Sequence, residues 1–427
     1  MPAATVNPNF PLGADNPIQN VVVLMQENRS FDTYLGHLNA YAHRTDIDSA
    51  PANSTNPDAM GRPHPYEHAP ALCFADTDHS WHASHEQWDD GQNDGFYVTN
   101  EGSMVDEAGV NLEDGDRSLW WYDQRDIPFH YALYSTFAIS DAYYCAILGP
   151  TWPNRMYLYG ATSLGVTSSV FPDLDAYATV PTNLVVFDEL AQRQVPFAIF
   201  AESAPGLGVM LGPSLLSRYG TLDILTTADD FFARAKAGTL PAVSFVDPNL
   251  SGEGPDGDDE HPPSQIQVGE RFVWKVVHAV LTSPQWAHTA LFITYDEHGG
   301  EFDHVSPPEA CAPDDKAPVL TGSDVGTAGD FARYGFRVPF VVVSPYAKKA
   351  YVSHDVYSHT SITRFIEARW TLPALSARDA NADPFSDLFD WKAPPFLTPP
   401  EFPEPAIDEP ALQACEATYE TLASGGP

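Results

Sequence analysis

A three-layer α/β sandwich around a mostly parallel sheet is the fold class this sequence predicts. Three observations carry it: short apolar runs rich in β-branched residues, helical patterns between them, and polar or turn residues at the boundaries. The runs fall at residues 18–25, 197–200, 243–246, 291–295 and 338–343. They do not alternate with polar residues, which suits strands buried on both faces of a parallel sheet. Helical periodicity fills 183–194, 228–237, 265–281 and 360–370.

One domain, residues 1–370, accounts for this alternation. Two stretches break it: 40–125, rich in His, Asp, Trp and Gly, and 305–335, polar with Pro and Gly. Both are expected to be loop insertions that cap the active-site edge of the sheet. The extension 371–427 carries ten prolines in 57 residues, so it is expected to pack on the core as extended chain rather than as helix.

A chain of 427 residues with 43% hydrophobic content has material for a large core. Its 58 acidic against 21 basic residues give a formal net charge of −37. So acidic a surface repels polyanions, which excludes a nucleic-acid partner, and an anionic substrate must be drawn in by a local positive centre such as a bound cation. No apolar run approaches the roughly 20 residues of a membrane span, and the first basic residue is Arg29, so the charged start of an export signal is missing. Cys73, Cys145, Cys311 and Cys415 are widely spaced without a C-x-x-C pair; two disulfides and buried thiols are both open, Cys145 lying in an apolar stretch.

Ligands of open parallel sheets gather at the carboxyl ends of the strands. The first run leads into Gln26-Glu27-Asn28-Arg29-Ser30-Phe31-Asp32, and the fourth into Asp296-Glu297-His298-Gly299-Gly300. Acidic residues after strands commonly cap the next helix. Three carboxylates at one edge, Glu27, Asp296 and Glu297, would instead repel one another unless a divalent cation sat between them. Their oxygens favour calcium, magnesium or manganese, and nearby histidines leave zinc open.

Gly149-Pro150-Thr151-Trp152-Pro153-Asn154-Arg155 reads as a tight turn opening a helix, with Pro153 suited to its first position. Thr151 would then cap the helix, or meet a phosphate held by its free N–H groups. As a nucleophile the hydroxyl needs a metal or a base. Among fifteen histidines, His79, His261, His298 and His304 lie inside acidic motifs, where neighbouring carboxylates favour the protonated ring that a general acid requires. His64, His68, His82, His85 and His288 read as surface residues.

These motifs, together with Asp78-His79-Ser80, Asp94-Gly95-Phe96, Gly238-Thr239-Leu240-Pro241, Glu260-His261-Pro262, Arg337-Val338-Pro339 and Ser344-Pro345-Tyr346-Ala347-Lys348, follow one another in a characteristic order. The chain thereby resembles bacterial phosphoesterases that include phosphatidylcholine-hydrolysing phospholipase C and a class of acid phosphatases, within the alkaline-phosphatase-like superfamily. The resemblance implies one divalent metal held by Glu27, Asn28, Asp296 and Glu297, with Thr151 as a further ligand and as the nucleophile that becomes a phosphothreonine. It implies catalytic roles for His79, His261, His304 and Asn28, and phosphate contacts from Asn28, His79, Arg155 and His298. The expected substrate is a small phosphate ester or a phospholipid head group. A threonine in the nucleophile turn is more similar to the phospholipase C branch; phosphomonoester hydrolysis is the alternative, and a non-catalytic cation-binding protein a distant one. Members are commonly exported, an expectation that this N-terminus does not support.

Overall fold

The computed structural model describes residues 10–102, 104–105, 111–169, 185–202, 224–250 and 254–423. Eight strands form the central sheet: β1 (Asn20–Gln26), β2 (Ala138–Ser140), β3 (Phe197–Ala201), β4 (Leu225–Thr227), β5 (Val243–Asp247), β6 (Thr289–Tyr295), β7 (Phe340–Val343) and β8 (Tyr351–Ser353). Their spatial order is β4-β3-β5-β1-β6-β7-β2-β8. From β4 to β6 each neighbouring pair is parallel; β7 is antiparallel to both β6 and β2, and β8 is parallel to β2.

The five apolar runs all fall in this sheet. The run 338–343 differs from expectation in that its strand starts at Phe340, after Pro339, and runs against the others. An unbroken apolar run reports burial on both faces and carries no sign of direction. Strands β2, β4 and β8 have three residues each, too few for any periodicity to announce them.

Helices α1 (Thr151–Gly160), α2 (Val186–Gln192), α3 (Ala228–Ala237), α4 (Ile266–Leu281) and α5 (His359–Trp370) cover the sheet. The pattern 183–194 shortens to α2, its first two residues lying outside the described ones. Register shows which face each helix takes. Phe245, Val23 and Phe292 are neighbours across three strands, and their face meets Tyr159 of α1, Phe187 just inside α2 and Phe365 of α5. Side chains alternate along a strand, so Phe200, Val246, Leu24 and Ile293 point the other way. There Phe200 meets Phe231 of α3, and α3 packs on α4. Helices on both faces of one sheet make the three layers, and the aromatic contacts lock each helix to its strand.

The C-terminal extension differs from a wholly extended tail. After Leu372 it has one short helix, Ala377–Ala380, and it closes with a longer one, α6 (Glu409–Ala423). Pro410 lies in the first turn of α6, where its missing N–H removes nothing, and no further proline follows until Pro427. Cys73 and Cys415 form a disulfide that ties α6 to the 72–76 segment; Cys145 is a buried thiol and Cys311 an exposed one. Among the described residues no helix is long and apolar enough to cross a membrane.

Candidate active site at the carboxyl edge of the sheet

Parallel strands deliver their carboxyl ends to one edge, and main-chain hydrogen bonds stitch the acidic segments together there. Glu27 N–H donates to Asp259 O at 2.9 Å, Asp296 N–H to Gln26 O at 3.1 Å and Arg29 N–H to Glu297 O at 3.2 Å. Asn28 turns the chain through a left-handed conformation (φ +57°), and its N–H donates to Asp296 Oδ1 at 3.1 Å. Asparagine tolerates that bend better than most residues. Gly299 faces it: a Cβ there would lie 2.6 Å from Asn28 O, so the loop after β6 can approach only as glycine.

Arg155, buried in α1, is the cation on which these carboxylates close. Its Nη2 lies 3.1 Å from Glu27 Oε1, its Nε 3.1 Å from Asp296 Oδ2 and its Nη1 3.8 Å from Asp247 Oδ1. One guanidinium does not balance three buried carboxylates. Burial, reinforced by Asp296 and Glu297 and opposed by Arg155, pushes Glu27 up to about 8. Burial likewise raises Asp296, and raises Asp259 with Glu27 beside it. Glu297 goes the other way: burial would lift it, but His79, His298 and the Gly299 N–H hold it below the usual carboxylate range. For His79 burial opposes the charged ring, yet Glu297 and Asp76 raise it to about 10.

Two oxygens of this nest, Asn28 Oδ1 and Glu297 Oε1, are buried without a hydrogen-bond partner. Each such orphan costs about 1–3 kcal/mol. Orphaned oxygens among under-neutralised carboxylates fit a hard divalent cation ligated by Glu27, Asn28, Asp296 and Glu297. A second group, Asp76, His79 and His261, has donor atoms within 4.8 Å of one another, and its nitrogens would also suit zinc.

The turn that presents Thr151 is clamped by its own helix. Pro150 is the extended residue before α1, and Thr151 is the first residue of the helix. One turn on, Asn154 reaches back: Nδ2 donates to Gly149 O at 2.8 Å and Pro150 O at 3.1 Å, while Oδ1 accepts from Ile147 N–H at 3.0 Å. Thr151, Glu27, His79 and His261 line one cleft of about 400 Å³, with Asp76 and Asp259 on its walls. No Lys or Arg is among the described residues that line it. His261 Nδ1 is engaged by Pro262 O at 2.6 Å, which leaves Nε2 as its working nitrogen; His79 Nε2 lies 3.2 Å from Asn28 Nδ2.

The remaining expected site residues stand back from the cleft. Asn28 and Glu297 are one contact behind it, through His79, and Asp296 and Arg155 lie behind Glu27. His298 is fully buried, with Nε2 2.8 Å from Gln87 Oε1 and its ring against Phe336; burial lowers its pKa. His304 belongs to a separate cluster: Nδ1 is 2.6 Å from Asp32, Nε2 3.2 Å from Asp48, and Arg337 bridges Asp32 and Asp303. Of the histidines read as surface residues, His288 is exposed. His64, His68, His82 and His85 are half-buried, the first two on Asp116 and Asp126.

Asn154, Asp247, Asp76 and Asp259 were not singled out by the sequence. Asp247 carried a signal, an acidic residue closing an apolar run just as Glu27 and Asp296 follow theirs. Asp76 and Asp259 stand three and two residues before His79 and His261, just outside the Asp78-His79-Ser80 and Glu260-His261-Pro262 motifs. The clamp made by Asn154 depends on turn geometry that residue type does not reveal.

The His304 cluster generates a stability prediction. Burial opposes the charged His304 ring, but Asp32 and Asp303 outweigh it and Arg337, raising His304 from 6.5 to about 9. A raised folded-state pKa stabilises fully below 6.5, and the gain disappears as pH climbs through about 9. Asp32, held low by Arg337 and His304 against burial, loses its contribution only in acid, and Asp303, at about 6, has titrated before pH 7. Thermal unfolding between pH 7 and 10 should therefore show a fall in melting temperature that is smaller in His304→Gln; equal falls in both proteins would refute the linkage.

A phosphoesterase family model matches residues 18–373. The chain is 31% identical to phospholipase C B of Mycobacterium tuberculosis over 448 residues, covering 93% of this chain and 82% of that protein. It is 31% identical to non-specific phospholipase C1 of Arabidopsis thaliana over 418 residues, 92% and 75% of the two chains. Among solved structures, a protein of the alkaline phosphatase superfamily from Vibrio parahaemolyticus aligns over 97% of this chain and 88% of its own at 9% identity and a TM-score of 0.41, a likeness too distant to add to the assignment. Carrying the strand-end carboxylates, the Thr151 turn and the cleft between them within the matched span, this chain belongs to the phosphoesterase family and is a phosphoric ester hydrolase.

Proposed function

We propose that the protein is a phospholipase C-like phosphodiesterase that works through a phosphothreonine at Thr151. The observation that carries this reading is the shared cleft: a hydroxyl on the first residue of a ten-residue helix, Glu27 of the carboxylate nest, and two imidazoles from separate loops. The relatives are named as phospholipases C, which supports a phospholipid head group as the substrate.

In this mechanism the positive end of the α1 dipole faces the phosphate, with Trp152 N–H held by Ser169 Oγ and no N–H on Pro153, and the clamp from Asn154 fixes the angle at which Thr151 Oγ meets phosphorus. Oγ attacks in line and its proton leaves to solvent. The bond from phosphorus to the leaving alcohol breaks, and that oxygen takes a proton from His261 Nε2. Water then gives a proton back to His261 and attacks phosphorus, releasing the phosphorylated head group while Thr151 Oγ is reprotonated. A divalent cation held by Glu27, Asn28, Asp296 and Glu297, with Thr151 within its reach, would lower the pKa of the hydroxyl and offset charge on the phosphoryl oxygens. Asn28 contributes by its place beside the ring, its side-chain amide lying 3.2 Å from His79 Nε2.

Thr151→Ala should lose at least about 10³-fold in turnover of p-nitrophenyl phosphorylcholine, and acid-quenched parental enzyme should carry a phosphorylcholine adduct on the Thr151 peptide. Parental-rate turnover by the variant would rule out Thr151 as nucleophile. A higher kcat/KM for p-nitrophenyl phosphate than for the phosphorylcholine ester would reverse the diester assignment. Asn154→Ala, with unchanged circular dichroism, should lower kcat about 10²-fold while KM changes little; an unchanged kcat would show that the clamp does not set the geometry of attack.

A further inference from the structure

Glu260 stands between two cleft residues, Asp259 and His261, yet its own side chain is fully buried and points away into the protein. Tyr295 OH donates to Glu260 Oε2 at 2.7 Å, Gln26 Nε2 donates to Oε1 at 3.4 Å, and Arg29 donates to the Glu260 carbonyl. His130 lies behind this carboxylate. Its Nε2 is 3.1 Å from Tyr295 OH and 3.6 Å from Glu260 Oε1, and its Nδ1 is 3.3 Å from Glu270 Oε1. Because the Tyr295 hydroxyl gives its own hydrogen to Glu260, it can only accept from His130 Nε2, while Nδ1 donates to Glu270. Both ring nitrogens therefore carry hydrogen, and an imidazolium is sandwiched between two buried carboxylates.

Two features show that the fold makes room for this arrangement at a cost. Glu260 adopts a left-handed backbone conformation (φ +73°), which is costly for a residue with a long side chain. In the first turn of α4, Gly269 stands where a Cβ would lie 2.1 Å from Glu260 Cγ, so the helix admits that side chain only by carrying glycine there. The backbone so held places Asp259 Oδ1 to accept from His261 N–H at 3.0 Å and from Ser264 Oγ at 3.1 Å. His261 thus stands on a loop whose next residue inward is tied to the ends of β1 and β6.

We infer that Glu260 is a positioning residue: anchored by Tyr295, Gln26 and His130, it fixes the loop that aims His261 into the cleft. The inference rests on the reading of His261 as the group that serves the leaving alcohol. Glu260 touches no substrate and acts through the imidazole next to it.

A double-mutant cycle together with an activity-independent probe tests it. Glu260→Ala should lower kcat for p-nitrophenyl phosphorylcholine about 10²-fold with KM little changed, Glu260→Gln should recover at least tenfold of that loss, and Glu260→Ala should cost almost nothing further in a His261→Ala background. In protein labelled at histidine Cε1, the resonance that disappears in His261→Asn should shift in Glu260→Ala and in the milder Tyr295→Phe at one fixed pH, and return toward its parental position in Glu260→Gln. A His261 resonance unmoved by either substitution, or fully additive losses in the cycle, overturns the inference. Parental turnover by His261→Ala combined with a shifted resonance would retire the catalytic reading of His261 and leave the positioning by Glu260 standing.

Discussion

Arg155 sits among Glu27, Asp296 and Asp247, and a single guanidinium cannot neutralise that many buried carboxylates. The edge of the sheet is arranged around the resulting excess of negative charge. Burial pushes Glu27 and Asp296 toward their protonated forms, with Asp296 and Glu297 adding to it at Glu27 and Glu297 at Asp296, while His79, His298 and a glycine N–H hold Glu297 ionised. Removing the neighbours that hold this nest together would expose buried charge to a low-dielectric interior, where it is most costly. A divalent cation held by residues that include Asn28 and Glu297 would relieve both the charge and the orphaned oxygens.

The rest of the site follows from what must surround such a nest. Glycine at 299 lets two loops meet at Asn28, and α1 supplies both Arg155 for the carboxylates and Thr151 for the cleft, one turn apart on the same helix. One element thereby couples the charge balance to the nucleophile. The imidazoles come from loops that the sheet does not build, and these are braced from below by buried polar networks: Asn28 on His79, and Glu260 with Tyr295 and His130 under His261.

The parts of the fold legible in the sequence are those with a repeating chemical signature. The apolar runs of β1, β3, β5 and β6 and the helices α3, α4 and α5 stand close to where periodicity puts them. The direction of β7 and the three-residue strands leave no such signature, since pairing partner and polarity are set by tertiary contacts. Helix α6 is hidden by the proline content of the extension as a whole, because the stretch after Pro410 is free of proline until the last residue. At the site, place after a strand put Glu27 and Asp296 at the carboxyl edge of the sheet, and the Gly-Pro turn put Thr151 at the start of a helix. Neither signal could tell that Arg155 faces the carboxylates, that His298 is sealed behind Phe336, or that His304 answers to Asp32 and Arg337. Those outcomes depend on which way a side chain leaves its backbone.

The most direct measurement of the central claim is metal stoichiometry joined to anomalous diffraction from crystals grown with manganese. One divalent ion per chain should be found at Asn28 and Glu297, with Glu27 and Asp296 as further ligands, and Glu297→Gln should lose it. A chelated, metal-free protein that keeps full phosphodiesterase activity, or an ion bound elsewhere while this nest stays empty, would contradict that claim.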